Sequence, residues 1–133
     1  MRRGAALALS IALPLAAQQT NALQSRLQQA IADLGAPDRA AAAALALHNL
    51  GPATVPALRK LLAPSQRGSE LELRLVNALF VLGDLGKPAA AAMPELADVL
   101  EVENGALLQQ GLWAAQRLLS WMNEDQRARL STS

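Results

Sequence analysis

A chain with one histidine and no cysteine has few ways to hold a metal or attack a bond. His48 would need several converging ligands to form a metal site, and neither a second histidine nor a thiolate exists to join it. Its place near the end of an apolar helical stretch suits a surface or structural cation favoured by the helix dipole. None of Ser25, Ser65, Ser69, Ser120, Ser131 and Ser133 stands in the Gly-x-Ser-x-Gly setting of a hydrolase nucleophile. No glycine-rich phosphate loop follows a strand, because no strand is apparent. The residue types therefore predict no enzyme, no cofactor and no metal.

Three groups of side chains remain as candidate partner-binding residues. Glu95, Asp98 and Glu101 recur every three residues and are followed by Glu103. That spacing lays them on one broad helical face, away from Met93, Leu96 and Leu100. A calcium site would need further converging oxygens, so a solvated face is the simpler reading. Arg59 and Lys60, with Arg67 beyond, form a basic counterpart. A 38-residue register sets Lys60 beside Asp98, so the two rows could pair with each other instead of with a ligand. Trp113 is the third candidate. A core stripe of Leu108, Leu112, Ala115, Leu119 and Met122 puts Trp113 among Gln109, Gln116 and Ser120. An aromatic on a polar face is either a partner anchor or is covered by a neighbour. Repeat alignment places it opposite Asn77.

The elements that position these residues follow from composition. The chain has 133 residues, a length that suits one domain. Its apolar share is 52% while aromatics are 2%, so the core must be built from Ala and Leu. These are the strongest helix formers, whereas strand-preferring residues are scarce. An all-α fold is predicted. The net charge of +1 argues against a general nucleic-acid binder.

One turn is written twice, as "NLGPATVPA" at 49–57 and "GDLGKPAAAAMP" at 83–94. Gly51 aligns with Gly86 and Arg39 with Arg74 at a spacing of 35, as do Ala44 with Leu79 and Leu45 with Phe80. Past the turn, Pro56 aligns with Pro94 at a spacing of 38. Each Gly ends a helix where positive φ is needed, and each Pro stops propagation and starts the next helix. Periods of this size signal stacked helix pairs. The units span about 18–34 (a partial leading unit), 37–63, 69–102 and 106–131. Within them Thr54 is a predicted N-cap, Ser69 with Glu72 a predicted capping box, and "PSQRG" a loop. The helix over 70–83 is apolar nearly all round, as a helix with neighbours on both sides should be. A break at Asn123 is predicted to open a separate short last helix.

The stretches "DRAAAAALALHNLGPATVPALRKLL" and "LRLVNALFVLGDLGKPAAAAMPELADVL" resemble HEAT repeats, in particular the short bacterial HEAT-like type related to the repeats of phycobilin lyases. The resemblance covers residues 37–102 well and 106–130 loosely. It implies a short α-solenoid of about three stacked antiparallel helix pairs that binds other macromolecules. No residue here matches a catalytic position of the lyases.

The start of the chain reads differently. Arg2 and Arg3 precede 14 small or apolar residues, Gly4–Ala17, and then polar Gln18. This is the pattern of a cleaved secretory signal peptide over 1–17, with cleavage after Ala22 as the alternative. Without cysteine there is no lipoprotein anchor. Loss of the two arginines leaves ten basic and eleven acidic residues in a repeat domain over 18–133, with the N-terminal half basic and the C-terminal half acidic. The function expected is an exported (periplasmic or secreted) scaffold that binds a protein partner. It would bind no nucleic acid and keep no stable membrane anchor, and a homo-oligomer could cover its open repeat ends. The alternative is an accessory subunit or lyase-like enzyme related to phycobilin-lyase-type proteins.

Overall fold

The computed structural model describes the backbone of residues 15–132 and the side chains of 17–121. The predicted signal segment therefore lies outside the described residues, except that Leu15–Ala17 open the first helix. The described chain is all helical, with no strand. Its α-helices are α1 (Leu15–Asp33), α2 (Ala40–Leu50), α3 (Val55–Leu62), the single turn α4 (Pro64–Arg67), α5 (Glu72–Leu85), α6 (Met93–Val102) and α7 (Gly105–Thr132). Short 3-10 segments, Gly51–Thr54 and Lys87–Ala92, lead into α3 and α6.

The repeated sequence makes a repeated backbone. α2 ends at Gly51 with φ 70° and ψ −141°, and α5 ends at Gly86 with φ 73° and ψ −131°. A Cβ is disfavoured at both positions. A 3-10 segment carrying Pro52 or Pro88 follows each glycine, and a second proline, Pro56 or Pro94, stands in the first turn of the next helix. There the missing N–H costs nothing, because that donor has no partner within the helix. α2 lies against α5 and α3 against α6, so equivalent helices are neighbours.

The core is leucine and alanine. Leu34, Leu47, Leu58, Leu62, Leu79, Leu82, Leu96 and Leu118 are fully buried and belong to one continuous cluster. α5 is the hub and contacts α1, α2, α3 and α7. One flank is open, however, with Leu73 and Phe80 exposed. Arg74 of α5 closes the leading unit by donating to Ala32 O at 3.1 Å and to Glu70 Oε1 at 2.7 Å.

Several local expectations change. Thr54 is buried but does not cap α3, because its hydroxyl donates back to Gly51 O at 2.9 Å, satisfying a carbonyl inside the turn. Ser69 does not cap α5 either: its hydroxyl donates to Gln66 O, and Leu71 is the N-cap. Part of "PSQRG" is helical. α7 passes Asn123 without a break. Asparagine is only mildly unfavourable within a helix, and no Gly or Pro follows it to force a stop.

Candidate functional site

The basic and acidic rows meet across α3, α4 and α6. Arg59 on α3 hydrogen-bonds Glu95 on α6. Arg67 ends the α4 turn and is buried, its side chain only 5% exposed. It donates to Asp98, to Glu103 Oε2 at 2.9 Å and to Leu62 O at 2.8 Å. Proline at the start of α4 tightens this turn and aims Arg67 back at α6. Burial alone pulls the Arg67 guanidinium down, but its bonds to Asp98 and Glu103 outweigh this and hold it above its ordinary value. The bond from Glu95 and its charge likewise raise Arg59. Both arginines therefore stay charged at any pH where the carboxylates are ionised, and the links between the two units persist.

The 38-residue register predicts Lys60 as the partner of Asp98. The structure pairs Asp98 with Arg67 instead and leaves Lys60 exposed. A rigid register misses this, because the α4 turn brings in a third cation. Pro56, Arg59, Lys60, Ala63, Pro64, Pro94, Glu95 and Asp98 line a shallow groove of 620 Å³ along this side. It continues past Lys60 and Pro56 to Gln24, Gln28 and Ile31 of α1. Glu101 is exposed beyond the paired row.

Trp113 sits elsewhere, on α7 where it crosses α5. Its ring stacks on Phe80, with centroids 5.4 Å apart and planes 8° from parallel. The Arg117 Cζ lies 5.2 Å from the indole centroid, a cation–π contact. Arg117 also donates to Gly83 O at 3.0 Å. Asn77 is not opposite Trp113, since its amide donates to Leu34 O at the end of α1.

The predicted core stripe of α7 is rotated. Leu107, Ala114, Ala115 and Leu118 are buried, whereas Leu112 and Leu119 are exposed. Gly83 explains the rotation: a Cβ there would lie 2.5 Å from Trp113 Cζ3 and 3.2 Å from the Ala114 Cα, so the glycine is a notch into which this side of α7 packs. Phe80 is exposed, although the apolar pattern over 70–83 reads it as core. Leu45, its equivalent in the preceding unit, is exposed as well, but the sequence shows only two apolar residues in register and does not mark either as a surface residue.

His48 meets Asp84 across the two units, Nδ1 to Oδ2 at 2.8 Å, with both side chains near half exposure. Among the described residues no group of three potential metal ligands gathers, and no helix is long and apolar enough to cross a membrane.

In comparisons with known proteins, no family model, no curated protein and no solved structure matches this chain.

Proposed function

We propose that the chain is an exported HEAT-like repeat scaffold that holds a protein partner and performs no catalysis of its own. The observation that carries this reading is the duplicated turn. Gly51 and Gly86 share one backbone conformation, and each leads through a 3-10 segment into a helix with a proline in its first turn. A helix pair of this size cannot bury its own apolar face, so it stacks on the next pair, which is the logic of a solenoid. Stacking then repeats surface residues at fixed intervals. Leu45 on α2 and Phe80 on α5 are equivalent by repeat and are 61% and 41% exposed. Large apolar side chains held on a rigid helical face are suited to anchoring a protein partner.

The charged rows support the scaffold role more than a ligand role. Arg59, Glu95, Arg67 and Asp98 neutralise one another and tie α6 to α3 and α4. Lys60 and Glu101 remain on the surface as rim residues. Export rests on the sequence pattern of residues 1–17.

A photo-crosslinking residue placed at Phe80 or Leu45 tests the binding face. One discrete partner, identified by mass spectrometry and lost on Phe80→Glu, is the expected result. The absence of any specific adduct at both positions would sink the proposal. N-terminal sequencing of the native protein should begin at Gln18 or Leu23, and an intact Met1 on cytosolic protein would remove the export claim.

A further inference from the structure

α3 lies between α1 and α6, and only one of these two neighbours is tied to it by charge. On one side α3 meets α6 through Arg59 and Glu95, and Arg67 of the following turn adds Asp98 and Glu103. On the other side α3 faces α1 across a cleft of 460 Å³. α1 packs chiefly on α2 and α5, and the cleft stays open. Its floor is apolar, made by Leu27, Ile31, Ala57 and Leu61. Lys60, Gln24 and Gln28 stand exposed around that floor.

No carboxylate is among the described residues that line the cleft. Asp33 is the one acidic residue of α1, and it is held elsewhere, by Gln29 at 3.1 Å and Arg39 at 3.6 Å. The side chains of Lys60, Gln24 and Gln28 bond no other described residue. Where α6 offers α3 a carboxylate, α1 offers uncharged amides. An ammonium beside an apolar floor is therefore left without the anion that closes the opposite side of the same helix.

We propose that this cleft takes an acidic, apolar stretch of the protein partner, an extended segment with a carboxylate side chain two positions from a leucine-sized one. Side chains two apart in an extended chain lie on the same face. One enters the apolar floor while the other meets the Lys60 ammonium. The carboxylate supplies toward α1 the pairing that Glu95 supplies toward α6. The glutamine amides can donate to that carboxylate and exchange hydrogen bonds with the peptide backbone. Charge complementarity of this kind selects among partners more than it adds affinity. Lys60 repels a basic segment, and a wholly apolar one would cover the ammonium without pairing it, which is costly. The occupant is taken to be a protein on the scaffold reading, while neither Leu45 nor Phe80 lines the cleft.

Fluorescence anisotropy of the full chain with a labelled peptide, Ser-Gly-Glu-Ser-Leu-Ser-Glu-Gly-Ser, tests this. Saturable binding is expected. Replacing both peptide glutamates by glutamine, or its leucine by serine, should weaken binding by more than about tenfold. Lys60→Glu should weaken the original peptide as much, and the Lys60→Glu chain should bind a peptide with lysine in place of glutamate. Arg26→Glu makes the same charge change on α1 outside the cleft and should leave binding unchanged. Lys60 and Arg26 are both exposed, so the far-ultraviolet helical signal should be unaltered in either variant. Failure of the unaltered chain to bind the peptide overturns the proposal, as does a loss that Lys60→Glu and Arg26→Glu cause alike. Saturable binding of decanoate in place of the peptide would assign the cleft to a lipid-like acid and overturn the peptide occupant. Dimerisation abolished by Lys60→Glu would assign it to a second copy, with the same consequence. Crosslinking through Phe80 or Leu45 that persists while the peptide fails would remove this cleft alone and leave the scaffold standing.

Discussion

Trp113 of α7 lies flat against Phe80 of α5, its ring centroid 5.4 Å away and its plane 8° from parallel. In a protein with three aromatic residues, two are spent on one contact between neighbouring helices. The indole is half-buried and packs on the core cluster, so it fixes the rotation of α7 as well as adding area. Trp113→Ala should cost about 3 kcal/mol in denaturant unfolding, toward the low end for emptying a tryptophan site, because part of the ring already meets solvent. Combined with Phe80→Ala, a double-mutant cycle should give a coupling of about 1 kcal/mol. A coupling near zero would mean that the rings are neighbours without interacting.

Arg67 is expected to be the most costly charge to remove. Its guanidinium serves Asp98, Glu103 and the Leu62 carbonyl from a buried position. Arg67→Ala leaves all three without their donor, and urea unfolding should record a loss of about 2–4 kcal/mol, below the fully buried limit because both carboxylates keep some solvent. Arg67→Lys should recover less than half, since an ammonium cannot reproduce the fork. Full recovery by lysine would reduce the interaction to simple charge.

The His48–Asp84 pair makes the opposite case. Both side chains are near half exposure, so His48→Ala should change stability by less than about 1 kcal/mol. Whatever loss appears at low salt should shrink further at high salt. A salt-independent loss above that size would indicate packing, which the exposure of His48 argues against.

The two repeat glycines separate strain from sterics. Both have positive φ near 70°, but a Cβ at Gly51 would meet nothing within 4 Å, whereas one at Gly86 would lie 2.7 Å from Trp121 Nε1. Gly51→Ala should therefore cost about 1–2 kcal/mol, the backbone penalty alone. Gly86→Ala should cost more by thermal unfolding. Equal losses would mean that the indole of Trp121 moves aside freely.

The fold is legible where the backbone demands a particular residue. Gly51 and Gly86, at positive φ, have few substitutes, and Pro56 and Pro94 are tolerated only in a first turn, so their spacing marks the helix ends and the pairing of α2 with α5. The face of α7 is not legible, because Leu107, Leu108, Leu112, Trp113, Ala114, Ala115, Leu118 and Leu119 cover most of its circumference. A periodicity argument then has no unique answer. The notch that decides it, Gly83, lies in a different helix. Arg67 escapes notice for a related reason: in "PSQRG" it looks like a solvated loop cation, and only the tertiary return of α4 buries it. Charge rows are readable as rows, but not which cation reaches which carboxylate.

Gly83 itself gives the sharpest test of that rotation. It lies inside α5, where alanine in place of glycine ordinarily stabilises a helix by about 1 kcal/mol. Here a Cβ would stand 2.5 Å from Trp113 Cζ3, 3.0 Å from Cε3 and 3.2 Å from the Ala114 Cα. The first two contacts belong to a rigid ring held by Phe80 and Arg117, so it cannot yield as a flexible chain end would. Overpacking of this kind costs about 1–3 kcal/mol, enough to cancel the propensity gain and reverse its sign. Gly83→Ala should therefore destabilise the native chain. In a Trp113→Ala background the ring contacts vanish and only the backbone contact remains, which a shift of a few tenths of an ångström relieves. The same Gly83→Ala change should then be neutral or stabilising. Thermal melts of the four proteins in this cycle decide the matter, and a Gly83→Ala effect of the same sign and size in both backgrounds would refute the packing of Trp113 into the α5 notch.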